Sequence, residues 1–552
     1  MSESQPPKLQ HFRKILFWPL RLIRPDDKTN WEKEGCVAYI QQQVIPMSSP
    51  WIPANKNLYN RGTAADEITC YAELVYFHPF IRRFLYGEPG SERTVLQIFK
   101  RTDVKKMHIV LREGQTLDFN VDRVHLYVFD IEVAILVLEI SSQNLADTKL
   151  SDIQDFLDQF RRVYPPYWDE VADGTYKAGH SPQTVTFLGK NNKGENQELI
   201  NGTFNHPKEF LPFVRHNKVS PVAKHWCFLL EPFVPYECAD WDKDKVRYQQ
   251  IEDERIPHMA YLAFDDPRLL TKGDMMRLGL ADSSGDKDTF PYSSQFAKNF
   301  ERDYCFDLFW ETNPQYQEKH GWMNTRYICC GYAFTMIGQF YVSEEGEPGF
   351  FNDSKVGALA HFRHHYFQMG LIVHFHKVAL LMLWDDLAQA TATFKGKQYL
   401  PQFHDEIGTI LERLLSFTNR DWFTELSNQF QSKQLFDMWS RHLGNRELVD
   451  RVLKEAQDVY QYLEMEEQKH HTKSIFRLTV VATTGLVFAL TFEFFGADLN
   501  AIFGLESVDL GKVTIVLVVF AFIISLPYFL DKLSIRIWKK FKSLFQKTKK
   551  GK

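Results

Sequence analysis

Paired cysteines, catalytic signatures and long apolar runs are all scarce in this chain of 552 residues. The seven cysteines are odd in number and scattered, without a CxxC spacing, so they indicate neither a zinc site nor a disulfide framework and are typical of reduced thiols in a cytosolic body. The sequence also has no P-loop, no GxGxxG after a strand, no GxSxG and no HExxH. These absences argue against an enzyme.

Only two stretches have the length and the uniform apolar character of a membrane span. They are Leu478–Phe495 and Val513–Leu530, each close to the ~18-residue minimum for a helix that crosses a bilayer. We therefore expect two transmembrane helices within 478–530. The residues before them read as a large body outside the membrane.

The charges beside the two spans predict their orientation. The connecting loop carries three acidic residues against Lys512, whereas the tail 531–552 carries nine Lys/Arg against Asp531 alone. Because basic flanks remain on the cytoplasmic side, we expect a multi-pass protein of the inner (plasma) membrane with both termini cytoplasmic. The basic tail is expected to lie against the anionic headgroups of the lipid bilayer.

The rest of the chain is acidic and long enough for two or three domains. Without the tail it has 56 basic and 69 acidic residues, a net charge of −13 instead of −5, which argues against binding to a nucleic-acid polymer. In the N-terminal segment 1–60, the apolar run HFRKILFWPLRLIRP is interrupted by Pro19 and Arg21, and no cleavage site follows. A signal peptide is not expected. A packed segment and membrane-surface contact remain the two interpretations.

Residues 61–350 are predicted to form an α+β or α/β cytoplasmic sensing domain. Segments rich in Val, Ile, Tyr and Phe, separated by turn sequences, predict strands at 68–77, 107–113, 124–130 and 131–141. A helix is predicted at 150–164, where apolar residues recur at helical spacing. Further strand-like pieces at 184–189, 226–234, 258–264 and 327–334 are expected to complete the same sheet.

Residues 355–477 are predicted to form a helical layer and a stalk helix. One apolar run covers 358–392 and a second helix is predicted at about 403–443. Gly444 and Asn445 then supply a stop signal and a start signal. No Pro or Gly follows before Gly485, so a third helix from Arg446 to Phe495 would extend 50 residues, or roughly 75 Å, into the first span.

This arrangement resembles the CorA superfamily of divalent-cation channels, and the segment KSIFRLTVVATTGLVFALTFEFFGADLN at 473–500 is similar to the family's first span and outer mouth. The resemblance implies a homo-oligomer, a pentamer in the family, with magnesium as the transported or bound ion. Family members have Gly-Met-Asn after the Phe-Gly, whereas here Gly496 is followed by Ala-Asp-Leu and Asn500. Either Asn500 replaces the family Asn or the selectivity is lost.

Two further segments, 361–381 and 423–443, resemble CorA-like proteins associated with type III CRISPR systems. That resemblance implies a membrane channel effector of antiviral defence. Its trigger would be a nucleotide second messenger, either a cyclic oligoadenylate or an S-adenosylmethionine–AMP conjugate.

The first span carries a face suited to a pore, independently of the resemblance. Thr479, Thr483, Leu486, Leu490 and Glu493 follow a 4-3-4-3 spacing, which places two hydroxyls and a carboxylate on one side of a helix. In a ring of subunits the carboxylates would form an acidic collar and the leucines an apolar gate. The alternative is that the carboxylate reaches headgroup water and the threonines bond their own backbone.

Two groups of basic residues are candidates for binding the messenger. Arg82 and Arg83 open a basic cluster that continues to residue 106, and Trp168 lies where it could stack on a base; the alternative is a solvated edge. Arg363 and His365 lie in a histidine-rich helix and are the second candidate. His361 and His365 also have metal-ligand spacing, but no Asp, Glu or Cys completes the set, and polar contacts between helices explain them equally.

Three functions fit the sequence. The first is a ligand-gated membrane effector, which the altered Gly-Met-Asn region and the large body favour. The second is a constitutive magnesium- or cobalt-type divalent-cation transporter. The third is a nucleotide-binding scaffold tethered to the membrane without a pore.

Overall fold

The computed structural model of the chain describes residues 7–25, 31, 35–45, 49–54, 75–87, 95–170, 175–190, 194–202, 204, 207–237, 245–286, 292–307, 310, 324–393 and 400–494. The chain divides into two compact units, 1–453 and 454–552. Asn500, the predicted second span and the basic tail all lie outside the described residues.

The first unit is built on one mixed sheet, in which the described residues contribute fourteen strands. Its main path runs β10-β9-β4-β5-β6-β1-β13-β16-β15-β14, with β3 also paired to β5 and β12 also paired to β1. The strands are β1 (Leu9–Ile23), β2 (Trp51–Pro53), β3 (Leu96–Arg101), β4 (Lys106–Val110), β5 (Thr116–Phe129), β6 (Val133–Ser142), β7 (Trp168–Glu170), β8 (Tyr176–Ala178), β9 (Thr184–Lys190), β10 (Asn196–Gly202), β11 (Val234–Pro235), β12 (Arg247–Gln250), β13 (His258–Phe264), β14 (Cys305–Asp307), β15 (Thr325–Cys329) and β16 (Ala333–Gln339). Strands β7 and β8 form a separate hairpin.

The N-terminal segment is a packed strand in the middle of this sheet. Strand β1 pairs antiparallel with β6 on one side and with β13 and β12 on the other, and nearly all of its residues are buried. A strand that is covered on both faces reads as an almost continuous apolar run instead of an alternating one. The structure therefore decides between the two interpretations of this segment in favour of packing.

Most of the predicted strands are confirmed. The segments predicted at 107–113, 124–130, 131–141, 184–189 and 258–264 correspond to β4, β5, β6, β9 and β13, whereas the single strand predicted at 327–334 is the end of β15, a turn at 330–332 and the start of β16. They all belong to the one sheet, as expected. Of the segment predicted at 68–77, only 75–77 is described, with a single bridge from Phe77 to Ser427.

The strand predicted at 226–234 is wrong, because most of it is helical. A helix covers Lys224–Leu230, and only Val234–Pro235 is a strand. His225, Trp226, Leu229 and Leu230 are the buried positions, and they recur with the spacing of one helix face. A short apolar run does not distinguish a buried strand from a buried helix by periodicity alone.

Twelve α-helices lie within the described residues. They are α1 (Cys36–Tyr39), α2 (Pro79–Tyr86), α3 (Leu150–Gln159), α4 (Pro207–Asn217), α5 (Lys224–Leu230), α6 (Lys272–Leu280), α7 (Ser294–Tyr304), α8 (Ala358–Arg363), α9 (His365–Thr393), α10 (Leu400–Ser416), α11 (Phe430–His442) and α12 (Asn445–Phe494). Helix α3 confirms the helix predicted at 150–164, although it ends at Gln159.

The helix predicted at about 403–443 is two helices. Helix α10 continues into a π-turn at Phe417–Asp421, and the chain is extended at Trp422 before α11 begins at Phe430. At the break, the ring nitrogen Nε2 of His376 lies 2.9 Å from the carbonyl oxygen of Asp421. A buried side chain from another helix thus satisfies a backbone group where α10 ends.

Helix α9 is the core helix of the first unit. The prediction that only 478–495 and 513–530 have the length and apolar character of a span is wrong, because 358–392 has both. Within the described residues it is the one helical stretch that does, but 83% of its apolar window is buried inside the protein. It packs against β1, β6 and α11. Its apolar character therefore reflects burial on all sides by protein.

The stalk helix begins where the sequence predicts, within one residue. Gly444 has a φ of 68°, the left-handed conformation that ends α11. The Asn445 side chain then donates from Nδ2 to the Val373 oxygen over 2.9 Å, and Lys377 Nζ donates to the Leu443 oxygen over 2.9 Å. These bonds fix the start of α12 to α9. From Asn445, α12 is helical for 50 residues.

Gly370 allows α9 to approach its neighbours closely. A Cβ atom at this position would lie 2.7 Å from Trp439 and 3.1 Å from Phe17, whereas one at Gly408 of α10 would meet nothing within 4 Å. Both changes to Ala give the same gain in helix propensity. We expect Gly370→Ala to be less stable than Gly408→Ala by about 1–3 kcal/mol because of the clash. Denaturant unfolding of the full-length protein in detergent measures this difference, and equal stabilities would contradict it.

Candidate functional site

The described part of the predicted pore face lies on α12. Thr479, Thr483 and Leu486 are exposed there, and neighbouring apolar residues such as Leu478 are also exposed. The Thr479 hydroxyl donates to the Ile475 oxygen over 2.8 Å, and that of Thr483 donates to the Thr479 oxygen over 2.8 Å. The threonines thus bond their own backbone, as the alternative interpretation states.

The other predicted pore residues are only partly described. Leu490 and Glu493 lie on α12, but their side chains fall outside the described part of the structure, and so does the whole of Asn500. Their roles in a pore stay predictions. The continuity of α12 does place Thr479, Thr483, Leu490 and Glu493 on one uninterrupted helix.

The first predicted ligand contacts lie on α2. Arg83 is exposed, and Arg82 is half-buried with its Nε donating to the Phe77 oxygen over 3.0 Å. Arg101, from the same basic cluster in the sequence, lies elsewhere: it is buried and held by Asp103 at 2.6 Å. The cluster in the sequence is thus divided between the surface and the core.

His365 is a core residue. It is buried, and its ring lies edge-on to that of Phe77 with 4.7 Å between the ring centroids. Its Nδ1 is 3.4 Å from the Ser432 hydroxyl oxygen. Burial and the neighbouring His361 lower the pKa of His365 to about 3, so the ring is neutral at physiological pH. No group of three or more metal-binding side chains occurs among the residues that the structure describes. This environment suits interhelical packing.

Arg363 belongs to a buried group of charges that we call the arginine cluster. Its members come from β1, β5 with its bulge, β6 and α8. They are Arg13, Asp122, Arg123, Glu139 and Arg363. The pairing of β5 with β6 places Arg123 directly opposite Glu139, which brings unlike charges together on one face of the sheet.

Glu139 is the centre of the arginine cluster. Its Oε1 lies 2.6 Å from Nη1 of Arg13 and 3.5 Å from Nε of Arg363, and its Oε2 lies 2.6 Å from Nη2 of Arg123. Arg13 also reaches Oδ2 of Asp122 at 3.1 Å. One carboxylate therefore neutralises parts of three guanidinium groups, and the side chain of Arg363 remains one-third exposed.

The arginine cluster is electrostatically positive. Burial alone would raise the pKa of Glu139, but the charges of Arg123, Arg13 and Arg363 outweigh burial and hold it well below its usual range. Burial also raises the pKa of Asp122, against the opposing effect of Arg13. With both carboxylates ionised, three arginines leave one uncompensated positive charge. A buried excess of this kind favours an anion.

A polar cleft opens beside the arginine cluster. Its volume is 780 Å³, and its charged lining consists of Arg13, Lys106, Asp118 and Asp122, with Asn120 and Ser141 among the neutral polar residues. Exposed residues alternate with buried ones along the first half of β5, so the polar side of that strand faces the cleft. The cleft offers amide and hydroxyl groups for hydrogen bonds and a guanidinium group for an anionic ligand.

Sequence reasoning found Arg363 but missed its partners. Arg13 lies in an apolar run where a charged residue interrupts a buried strand, and Glu139 lies within VAILVLEIS in the same way. A charged residue in a strand that is buried on both faces needs a partner of opposite charge. That rule identifies both positions, but it does not identify which residues meet.

The comparisons with known proteins leave the family of this chain open. No family model matches it, and no curated protein or solved structure matches it either. The resemblance to CorA channels and to the CRISPR-associated proteins therefore stays a prediction from the quoted segments.

The carboxylate of Glu139 is expected to be the main stabilising group of the arginine cluster. Glu139→Gln should lower the free energy of unfolding by about 3–5 kcal/mol, because three arginines lose their shared counter-charge. Glu425→Gln is the control: its pair with Lys433, at 2.9 Å, is exposed, and its loss should cost about 0–1 kcal/mol.

The effect of Glu139→Gln is also expected to depend on pH. Because the folded-state pKa is depressed, the contribution of Glu139 is fully present above the unfolded-state pKa of about 4.3 and is lost as the pH falls through the folded-state value. Denaturant unfolding at pH 7 and at pH 3.5 measures both effects. Equal losses from Glu139→Gln and Glu425→Gln would contradict the central role of Glu139.

A second pH dependence is expected from the buried histidine His374. Its ring packs against Phe17 and Trp439, and burial, with a smaller effect of Lys377, lowers its pKa to about 3. Below about pH 6.5 the unfolded chain binds a proton that the folded chain does not, so stability falls by up to about 1.4 kcal/mol per pH unit. His374→Phe should remove that loss.

The measurement is the free energy of unfolding at pH 7 and pH 5 for the parent and for His374→Phe. The control is His216→Phe, which changes an exposed ring at the end of α4. An identical decrease between the two pH values in the parent and in His374→Phe would contradict the assignment.

Proposed function

We propose that the protein is a membrane channel effector gated by an anionic nucleotide second messenger. In this proposal the sheet unit binds the messenger, and α12 connects that unit to two membrane spans. The protein is a homo-oligomer of the inner membrane with both termini in the cytoplasm, and it acts by passing ions, without catalysis. The sequence resemblances name cyclic oligoadenylates and S-adenosylmethionine–AMP conjugates as the messengers to test.

The observation that carries the proposal is the helix α12. It begins at the buried Asn445, which is hydrogen-bonded to α9, and it is still helical at Phe494, within the first predicted span. Exposed apolar side chains such as Ile475 and Leu478 lie on its later turns. The exposed apolar residues of α12 continue into the predicted span Leu478–Phe495, which is close to the ~18-residue minimum for crossing a bilayer. This helix is therefore suited to a bilayer.

The arginine cluster supports an anionic messenger. The uncompensated positive charge lies beside a cleft large enough for a nucleotide, and Arg13 is both a member of the cluster and part of the cleft wall. Guanidinium groups bind phosphate in a bidentate geometry, which gives both affinity and orientation. A phosphate in the cleft would compete with Glu139 and Asp122 for Arg13.

A series of contacts and chain connections leads from the arginine cluster to the first turn of α12. Glu139 contacts Arg363 at the end of α8, and only His364 separates α8 from α9. Helix α9 in turn accepts the hydrogen bond from Asn445 at the first turn of α12. A ligand gates only if it binds two states differently, and a change in the partners of Arg13 is one way to distinguish them.

The proposed pore uses the face of the first span. In a ring of subunits, Glu493 would form the acidic collar, Leu486 and Leu490 the apolar gate, and Asn500 would lie near the outer mouth. A carboxylate within a span is costly when it faces lipid, so a position toward a water-filled pore is favoured. The collar would favour cations, with magnesium among the candidates.

The test measures messenger binding by calorimetry and messenger-triggered cation flux from liposomes, with the full-length protein in both. Arg13→Gln should weaken messenger binding about tenfold or more, because a charge-assisted hydrogen bond is lost. The fold should tolerate this change, since two arginines would then face two carboxylates. Arg363→Gln makes the same change in charge outside the cleft wall and should weaken binding less.

The double variant Arg82→Ala/Arg83→Ala separates this site from the alternative on α2. If messenger binding is lost in the double variant and not in Arg13→Gln, the messenger binds at α2 and not in the cleft. A parent protein that binds no adenylate messenger but passes magnesium constitutively would overturn the effector proposal in favour of the transporter. Binding without any flux would indicate a tethered scaffold.

A further inference from the structure

A second pocket, separate from the cleft, lies between the hairpin β7–β8 and the turn before β9. Its volume is 370 Å³, and its lining includes Arg112, Trp168, Lys177, Gln183 and Phe204. None of these five residues lines the cleft beside the arginine cluster. We call it the aromatic–basic pocket.

The aromatic wall of this pocket is fixed by packing. Trp168 is half-buried at the start of β7, and its ring meets Phe210 of α4 edge to face, with 5.5 Å between ring centroids and 69° between ring planes. Tyr176 and Phe204 also line the pocket. Aromatic side chains held in this way are stacking surfaces for a nucleobase, worth roughly 1–3 kcal/mol per base.

The basic wall is also held in place. Arg112 forms an ion pair with Asp169, and its backbone nitrogen donates to Oε1 of Gln159 over 2.9 Å. Its carbonyl oxygen accepts from Nε2 of Gln183 over 2.8 Å and from Nζ of Lys177 over 3.4 Å. Two cations against one carboxylate leave a single positive charge at the pocket.

Two residues that line this pocket each have a buried donor without an acceptor among the described residues. The donors are Nε of Arg112 and Nε1 of Trp168. A buried donor without a partner costs about 1–3 kcal/mol, so a ligand that supplied acceptors to these two donors would gain affinity from both. One donor lies on the basic wall and the other on the aromatic wall.

The size of the pocket limits the ligand. A volume of 370 Å³ is near the lower end of the ~300–1,000 Å³ range of small-molecule sites. It suits a single nucleotide better than an oligonucleotide. An uncharged aromatic ligand would leave the positive charge unused, and inorganic phosphate would leave the aromatic wall empty.

We propose that the aromatic–basic pocket binds a nucleoside monophosphate, with the base against Trp168 and the phosphate against Arg112 and Lys177. This site does not depend on the proposed gating function and is independent of the cleft. It gives the sheet unit a second nucleotide site with a ligand smaller than the messengers considered above.

The test is calorimetry of the full-length protein in detergent with three probes, AMP, adenosine and inorganic phosphate. AMP should bind at least about tenfold more tightly than either of the other two, since only AMP uses both walls. Arg112→Gln should reduce the affinity for AMP to that for adenosine. Trp168→Leu should weaken AMP binding at least about fivefold, because the stacking contribution is lost.

The matched control is Arg268→Gln, since Arg268 pairs with Asp266 at 2.7 Å but does not line this pocket. It should leave AMP binding unchanged. If Trp168→Leu does not fold, Lys177→Gln replaces it, with a loss of AMP affinity and none of adenosine affinity expected.

Three results would overturn the proposal. They are the absence of AMP binding by the parent protein, equal affinities for AMP and phosphate, and an equal loss in Arg268→Gln. Because Arg13→Gln is tested with the messengers and Arg112→Gln with AMP, failure of one site is distinguishable from failure of the other.

Discussion

The burial of β1 on both faces is the constraint on which the rest of the sheet unit depends. Most polar groups of this strand have to find a partner inside the protein, because protein covers most of both faces. Lys14, on one face, donates to the Leu157 oxygen over 3.2 Å and lies 4.9 Å from the ring centroid of Phe156. Arg13, on the other face, meets Glu139. Lys14 and Arg13 are adjacent in the chain, but Lys14 contacts helix α3 on one face of the sheet and Arg13 contacts a carboxylate on the other face.

The two faces of β1 therefore have different chemistry. Around Lys14, burial, with a further contribution from Arg161, lowers the pKa of the ammonium group well below its usual range, and aromatic rings and a carbonyl surround it. Around Arg13, carboxylates and further arginines form a network that extends to the open cleft. The first environment fixes the helix α3 against the sheet. The second leaves charge available to a ligand, which is why it is the candidate site.

The features that the sequence predicts well are those that depend on residues close together in the chain. The strands β4 to β6 alternate or branch in the expected way. Gly444 marks the end of α11 because a left-handed conformation is a property of a single position. The break at 422–429 was not predictable in this way, since part of its stabilisation comes from His376 on another helix. The same holds for α5, whose apolar residues fit a buried strand or a buried helix equally.

The candidate site was harder to predict because it is assembled over long distances in the chain. Arg13, Arg123, Glu139 and Arg363 come from four elements, and the pairing of β1 with β6 and of β5 with β6 brings the first three together. Clusters that are visible in the sequence, such as the one around Arg82, show which residues are close in the chain and not which side chains meet in the fold. The helix α9 shows a related limit, because its hydropathy resembles that of a membrane span although protein surrounds it.

The uninterrupted course of α12 has a consequence for how this chain tolerates change in length. Each residue of an α-helix adds 1.5 Å and turns the helix by about 100°. One residue inserted between Tyr460 and Thr479 would therefore rotate Thr479 and Thr483 relative to the side of α12 that presents Tyr460. An insertion of seven residues nearly restores the direction, with about 10 Å of added length. The number of residues between Tyr460 and Thr479 thus determines which side of α12 presents the threonines relative to the side that presents Tyr460.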